Sequence, residues 1–128
     1  SYIRPRNYSA LLYGINVGAD PDVYAYWHSS QGKDPGLNLS VYKSSAADLA
    51  LESGRTVRDN KTRSAKYKAF NQAWVSDTPA VMLYAPSYVY GVNRNVYGIH
   101  IKRLITPSDR FDQVEKWSVR VKPVHINQ

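Results

Sequence analysis

The stretch Tyr8-Ser9-Ala10-Leu11-Leu12-Tyr13-Gly14-Ile15-Asn16-Val17-Gly18-Ala19-Asp20-Pro21-Asp22 decides the class of fold. Tyr8 to Gly14 is short, apolar and aromatic and stops at glycine, which reads as a buried strand. Asn16, Gly18 and Ala19 then form a loop of small residues. Asp20 is placed to accept from the free N–H groups of a following helix, and Pro21 suits a first helical position because it has no N–H to satisfy. A helix from about Pro21 to Ser29 is expected, with Val23, Tyr26 and Trp27 on one face.

Working outward, Ser30-Gln31-Gly32-Lys33-Asp34-Pro35-Gly36 is turn chemistry. Ser45-Ala46-Ala47-Asp48 has the spacing of a capping box, with Asp in place of Glu, and opens a second helix to about Val57. Gly54 inside it should weaken that helix by ~1 kcal/mol relative to Ala. Asp59-Asn60 is another start signal, and Lys61 to Val75 carries Tyr67, Phe70 and Trp74 at helical spacing, up to the stop at Thr78-Pro79. Ala80 to Tyr84 reads as a buried strand, Pro86-Ser87 as a turn and Tyr88 to Val92 as its partner strand. Asn93 to Gly98 is turn-rich, and Trp117 to Val121 alternates like an edge strand. Strand, three helices and further strands make a mixed α/β arrangement, a small sheet with helices packed on it.

The chain has 128 residues, 17 Lys+Arg against 10 Asp+Glu for a net charge of +7, and no cysteine. That length supports one domain, residues 1–128, with a single core. The 43% hydrophobic content is that of a folding chain rather than a disordered one. No apolar run reaches the ~20 residues of a membrane helix. The lack of cysteine excludes disulfides, thiolate zinc sites and thiol nucleophiles. Eleven tyrosines and three tryptophans in a basic background raise the question of a ligand.

No catalytic motif is present: the nucleophile elbow, the zinc-protease helix and the glycine-rich phosphate and dinucleotide loops are all missing. No catalytic residue, metal site or cofactor is expected. His28, His100 and His125 share no metal-ligand spacing and read as surface or half-buried residues. Asp20 and Asp22 read as helix caps rather than as an acid/base pair. Arg55, Arg58, Lys61, Arg63, Lys66 and Lys68 could follow a phosphate backbone, which makes a basic nucleic-acid-binding domain the alternative function. The plainer reading is a solvated face, since the Tyr67, Phe70, Trp74 stripe turns inward and leaves the charges outside.

The motifs carry more in order than singly. The strand Tyr8 to Gly14 is followed by Asp20-Pro21-Asp22-Val23-Tyr24-Ala25-Tyr26-Trp27-His28-Ser29, then by Gly36-Leu37-Asn38-Leu39-Ser40-Val41-Tyr42. Asp48-Leu49-Ala50-Leu51-Glu52-Ser53, Arg63 with Tyr67, Pro79 to Pro86, Tyr88-Val89-Tyr90, Val96-Tyr97-Gly98, Asp109-Arg110-Phe111 and Glu115-Lys116-Trp117 come next. From about Tyr8 to Val121 the chain resembles the C-terminal part of the family 5 extracellular solute-binding proteins, the peptide- and nickel-type substrate-binding subunits of ABC importers.

The resemblance implies part of one lobe of a type II periplasmic-binding-protein clamshell, in a bilobal protein several times longer. It implies a non-catalytic, extracytoplasmic protein, in the periplasm or lipid-anchored at the cell surface. Its partners would be an oligopeptide or similar small solute, the importer's permease subunits and the missing N-terminal lobe, and not nucleic acid. The residues it places at the ligand are Gly14, Ile15, Asn16 and Val17, whose backbone and amide groups would bind an extended solute, with Asn38 and Tyr42 as secondary candidates. Trp27, Tyr67, Phe70 and Trp74 are expected in the core. Val17 stands where peptide-binding members often carry the aspartate that holds a peptide's amino terminus, and Ile15 where a tryptophan commonly follows glycine. A buried ammonium without a counter-charge costs several kcal/mol, so the expected ligand is an internal peptide stretch, a sugar, or a peptide whose charge the missing lobe meets.

Overall fold

A computed structural model describes residues 2–102 and 104–121, which divide into two compact units, Ser1–Leu83 and Tyr84–Gln128. The first is built on three helices: α1 (Tyr24–Trp27), α2 (Ser45–Thr56) and α3 (Asn60–Asp77). The second carries, among its described residues, a single antiparallel pairing of β1 (Val96–Tyr97) with β2 (Ser118–Val119), in the register Val96 to Val119 and Tyr97 to Ser118.

The two longer helices form close to where their sequence signals stand. Asp59 caps α3 by accepting from the Thr62 N–H at 2.7 Å, and Thr78, in the left-handed region at φ 48°, ends it ahead of Pro79. Tyr67 and Phe70 are buried on its inner face and Trp74 is half-buried. Leu51, Ala47 and Ala50 of α2 and Tyr42 complete the buried apolar core, with Trp27 set edge-on to Trp74 at 5.3 Å. Gly54 is where α2 and α3 meet, since an added Cβ there would lie 3.1 Å from the Tyr67 ring. Its low helix propensity is thus offset by the approach it permits.

Several local expectations are corrected. The capping box at Ser45 does not form: Ser45 is already helical, and Asp48 instead accepts from the backbone N–H of Ser29 at 2.9 Å and from its hydroxyl. The first helix is one turn rather than Pro21 to Ser29. Asp20 and Asp22 each accept from a backbone N–H two residues on, turning the chain before the helix starts, and His28 ends it in an extended conformation.

The largest correction concerns the strands. Residues 8–14, 80–84 and 88–92 are not paired strands, and Leu12, Tyr84 and Val89 are 82%, 81% and 89% exposed. Their composition encodes burial, but a strand exists only beside a partner backbone, and no described residue of their own unit pairs with them. The strand expected from Trp117 to Val121 shortens to Ser118–Val119.

The second unit has no fully buried residue among those described. Its order comes from polar turns. Asp109 accepts from the N–H groups of Ile105 and Thr106 at 2.7 Å each, which opens a 3-10 turn over Pro107–Phe111. Gly98, at φ 81°, passes within 2.5 Å of the Lys116 carbonyl at its missing Cβ, so only glycine fits there.

Candidate functional site

The six candidate residues fall into two sets of different character. Gly14, Ile15, Asn16 and Val17 lie on an exposed segment outside any helix or strand, and an added Cβ at Gly14 or Gly18 would meet nothing within 4 Å. The Asn16 carbonyl accepts from the Tyr26 hydroxyl at 3.3 Å. The remaining backbone groups of 14–17 make no hydrogen bond to another described residue.

Asn38 and Tyr42 are brought together in the interior. Asn38 is 0% exposed. Its amide donates to the carbonyls of His28 at 3.1 Å and Tyr42 at 2.9 Å, while its oxygen accepts from the Tyr42 N–H at 3.0 Å and the Ser40 hydroxyl at 3.2 Å. All four of its hydrogen-bonding positions are taken within the chain. Tyr42 sits in the core, and its hydroxyl donates to Asp77 at 2.6 Å. Burial first, and then the neighbouring Asp77 carboxylate, push the Tyr42 phenol up from its ordinary value. Both residues hold the 38–42 turn against the helices.

His28 belongs to the same knot and is buried, not half-exposed. Its Nδ1 accepts from the Ser30 N–H at 3.1 Å, and its Nε2 lies 3.1 Å from Glu52 and 3.8 Å from Asp48. Its ring stacks on Tyr24 at 4.0 Å. His100 is exposed, and His125 lies outside the described residues. No group of three His, Asp or Glu side chains among the described residues is arranged to hold a metal ion.

The residues that sequence reasoning missed are the partners of the acidic pair. Asp20 meets Arg63 of α3 at 2.6 Å, and Asp22 meets Arg55 of α2 at 3.0 Å. The Arg63 guanidinium, with the Asp22 N–H next, holds the Asp20 carboxyl below the ordinary range. Arg55 also lies 4.4 Å over the Tyr24 ring, beside an open cavity of about 320 Å³ lined by Asp22, Tyr24, Ala25, Gln31 and Arg55. Two cations of the basic run are thus spent on the segment just after the candidate loop, and are not a free face. The available signal was an isolated acidic pair in a chain with 17 basic residues, but nothing local told which of them it would meet.

No protein-family model matches this chain, and no solved structure matches it. Two curated proteins are similar to it. "Oligopeptide-binding protein AppA" of Bacillus subtilis (strain 168) is 32% identical over 113 residues, covering 87% of this chain and 20% of that protein. "Protein XP55" of Streptomyces lividans is 32% identical over 113 residues, covering 86% of this chain and 18% of its own. The chain therefore spans about a fifth of the length of the curated relatives it matches, and the one named for an activity is a binding protein rather than an enzyme.

Proposed function

We propose that this chain is the C-terminal part of one lobe of a bilobal substrate-binding component of an ABC importer of the oligopeptide class. The observation that carries this reading is the 32% identity to an oligopeptide-binding protein across 87% of the chain. The exposed apolar segments 8–14 and 80–84 support it, because such runs are stable only when another part of a fold covers them. None of the described helices is long and apolar enough to cross a membrane.

In this reading the open backbone of Gly14 to Val17 faces the cleft and hydrogen-bonds an extended peptide without selecting its side chains. Val17 offers no charge to a peptide's amino terminus. Solute binds better to the closed arrangement of two lobes than to the open one, and that difference drives closure and delivery to the permease. An enclosed site buries most of a small ligand, so a chain holding only one wall of it binds weakly.

The test is calorimetry with short peptides of mixed sequence on the complete polypeptide that carries this segment and, in parallel, on the 128-residue chain alone. Micromolar binding by the first and none below millimolar by the second is the expected result. Failure of the complete polypeptide to bind any peptide, or strong DNA or RNA binding that falls steeply with salt, overturns the proposal.

A further inference from the structure

Between Tyr8 and Asp22 no backbone group hydrogen-bonds to another backbone group among the described residues, and the polar contacts that tie this strap to the helical body run through side chains. Tyr8 donates to the Leu39 carbonyl at one end, Tyr26 donates weakly to Asn16, and Asp20 and Asp22 meet Arg63 and Arg55 at the other end. The shortest of the ion pairs is Asp20 with Arg63, at 2.6 Å, two residues beyond Gly18.

A surface ion pair ordinarily contributes little, because two long side chains must be ordered to make it. Arg63 differs in being ordered by other contacts. Its Nε donates to the Gly54 carbonyl at 3.2 Å, and its guanidinium lies 5.1 Å from the Tyr67 ring centroid. Its side chain is 24% exposed against 62% for Asp20. A planar guanidinium fixed in this way presents its remaining N–H groups in one direction, so the carboxylate that docks there takes a defined place. Asp20 in turn accepts the Asp22 N–H at 2.9 Å, which ties the direction of the strap to that of its carboxylate.

We propose that Arg63 is a positioning residue for the candidate ligand segment, fixing through Asp20 where Gly14 to Val17 lies on the α2–α3 body. The proposal takes the role of 14–17 from the function proposed above, but the placement itself needs no ligand to be measured.

The experiment is ¹⁵N relaxation and residual dipolar couplings on the full 128-residue chain, for wild type, Asp20→Asn, Arg63→Lys, Arg63→Met and Lys61→Met, with a thermal midpoint for each. Asp20→Asn keeps the acceptor for the Asp22 N–H and removes only the charge facing Arg63. It therefore stays informative if Arg63→Met, which also loses the Gly54 bond, fails to fold. In Asp20→Asn the order parameters of amides 15–19 fall below about 0.6 while those of α2 and α3 stay near 0.85. Arg63→Lys is intermediate, since it keeps the charge and loses the planar fork. Lys61→Met behaves as wild type. The double variant Asp20→Asn/Arg63→Met loosens the strap no further than Arg63→Met alone, as a shared interaction requires. An unchanged strap in Asp20→Asn, or equal loosening in Lys61→Met, overturns the proposal. If the complete polypeptide binds no peptide while Asp20→Asn still loosens the strap, only the function reading falls. If it binds peptide equally well with or without Asp20→Asn, and the strap is unmoved, only the positioning role falls.

Discussion

The α2–α3 body and the strap over residues 8–22 are similarly rich in aromatic and aliphatic side chains, and the structure treats them in opposite ways. In the body, backbone groups are satisfied within helices and the apolar side chains meet each other, with Leu51 at 0% exposure. In the strap, no backbone group pairs with another among the described residues, and Leu11 to Val17 are exposed. A helix satisfies its own backbone and needs a neighbour only for one face. A strand needs a second chain segment for every one of its hydrogen bonds. Local sequence can therefore complete the first within this chain but only prepare the second, and the prepared segment is the one that carries Gly14 to Val17.

The contrast can be broken most forcefully at Leu51. Leu51→Ala leaves a cavity where α2 packs on α3 and should cost about 2–5 kcal/mol, read as a drop in the urea midpoint at unchanged slope. A cost below 1 kcal/mol would mean that the body is no better packed than the strap. Asn38→Ala comes next, removing a side chain whose four bonds satisfy the His28 and Tyr42 carbonyls, the Tyr42 N–H and the Ser40 hydroxyl. The groups left unpaired set an expected loss of about 2–3 kcal/mol, and peptide binding by the complete polypeptide should survive if the residue is purely structural.

Acid should reveal the anchors. The carboxyls of Asp20 and Asp59 are held low in the folded chain, Asp20 chiefly by the Arg63 hydrogen bond and Asp59 chiefly by the Thr62 hydrogen bond. Each therefore stabilises the fold in full above the ordinary aspartate value, and that contribution fades as pH falls through the lowered one. Thermal midpoints are expected to decline on that acid limb, with a smaller decline in Asp20→Asn. An equal decline would show that the pair contributes nothing. The smallest effect is expected in the strap, where Leu12→Ala should shift the midpoint by less than a degree or two, because that side chain is 82% exposed. A larger loss would show that the segment is packed like the body.

Legibility followed the same division. Asp59 as a cap, the Tyr67, Phe70 and Trp74 stripe and the stop at Thr78-Pro79 were readable because each acts within a turn or two of its own position. Gly54 could be read only as a weak point, since the Tyr67 ring that occupies its missing side chain comes from the next helix. Asp48 looked like a cap for its own helix and is held by Ser29 instead. Beside the candidate site, the loop was legible from its small residues Asn16, Gly18 and Ala19, whereas the choice of Gly14 to Val17 as ligand residues came from the family resemblance alone. The interior role of Asn38 was not legible, because its partners lie at both His28 and Tyr42.

By itself, then, the sequence determined the two longer helices, the Asp59 cap and the inward face of α3, since periodicity and side-chain chemistry act over a few residues. Tertiary structure alone decided that Asp20 meets Arg63, that Asp22 meets Arg55, and that the apolar runs at 8–14 and 80–84 find no partner strand among the described residues. The physical reason is that an ion pair or a strand pairing depends on where a distant part of the backbone passes, and composition records only the readiness to be met there.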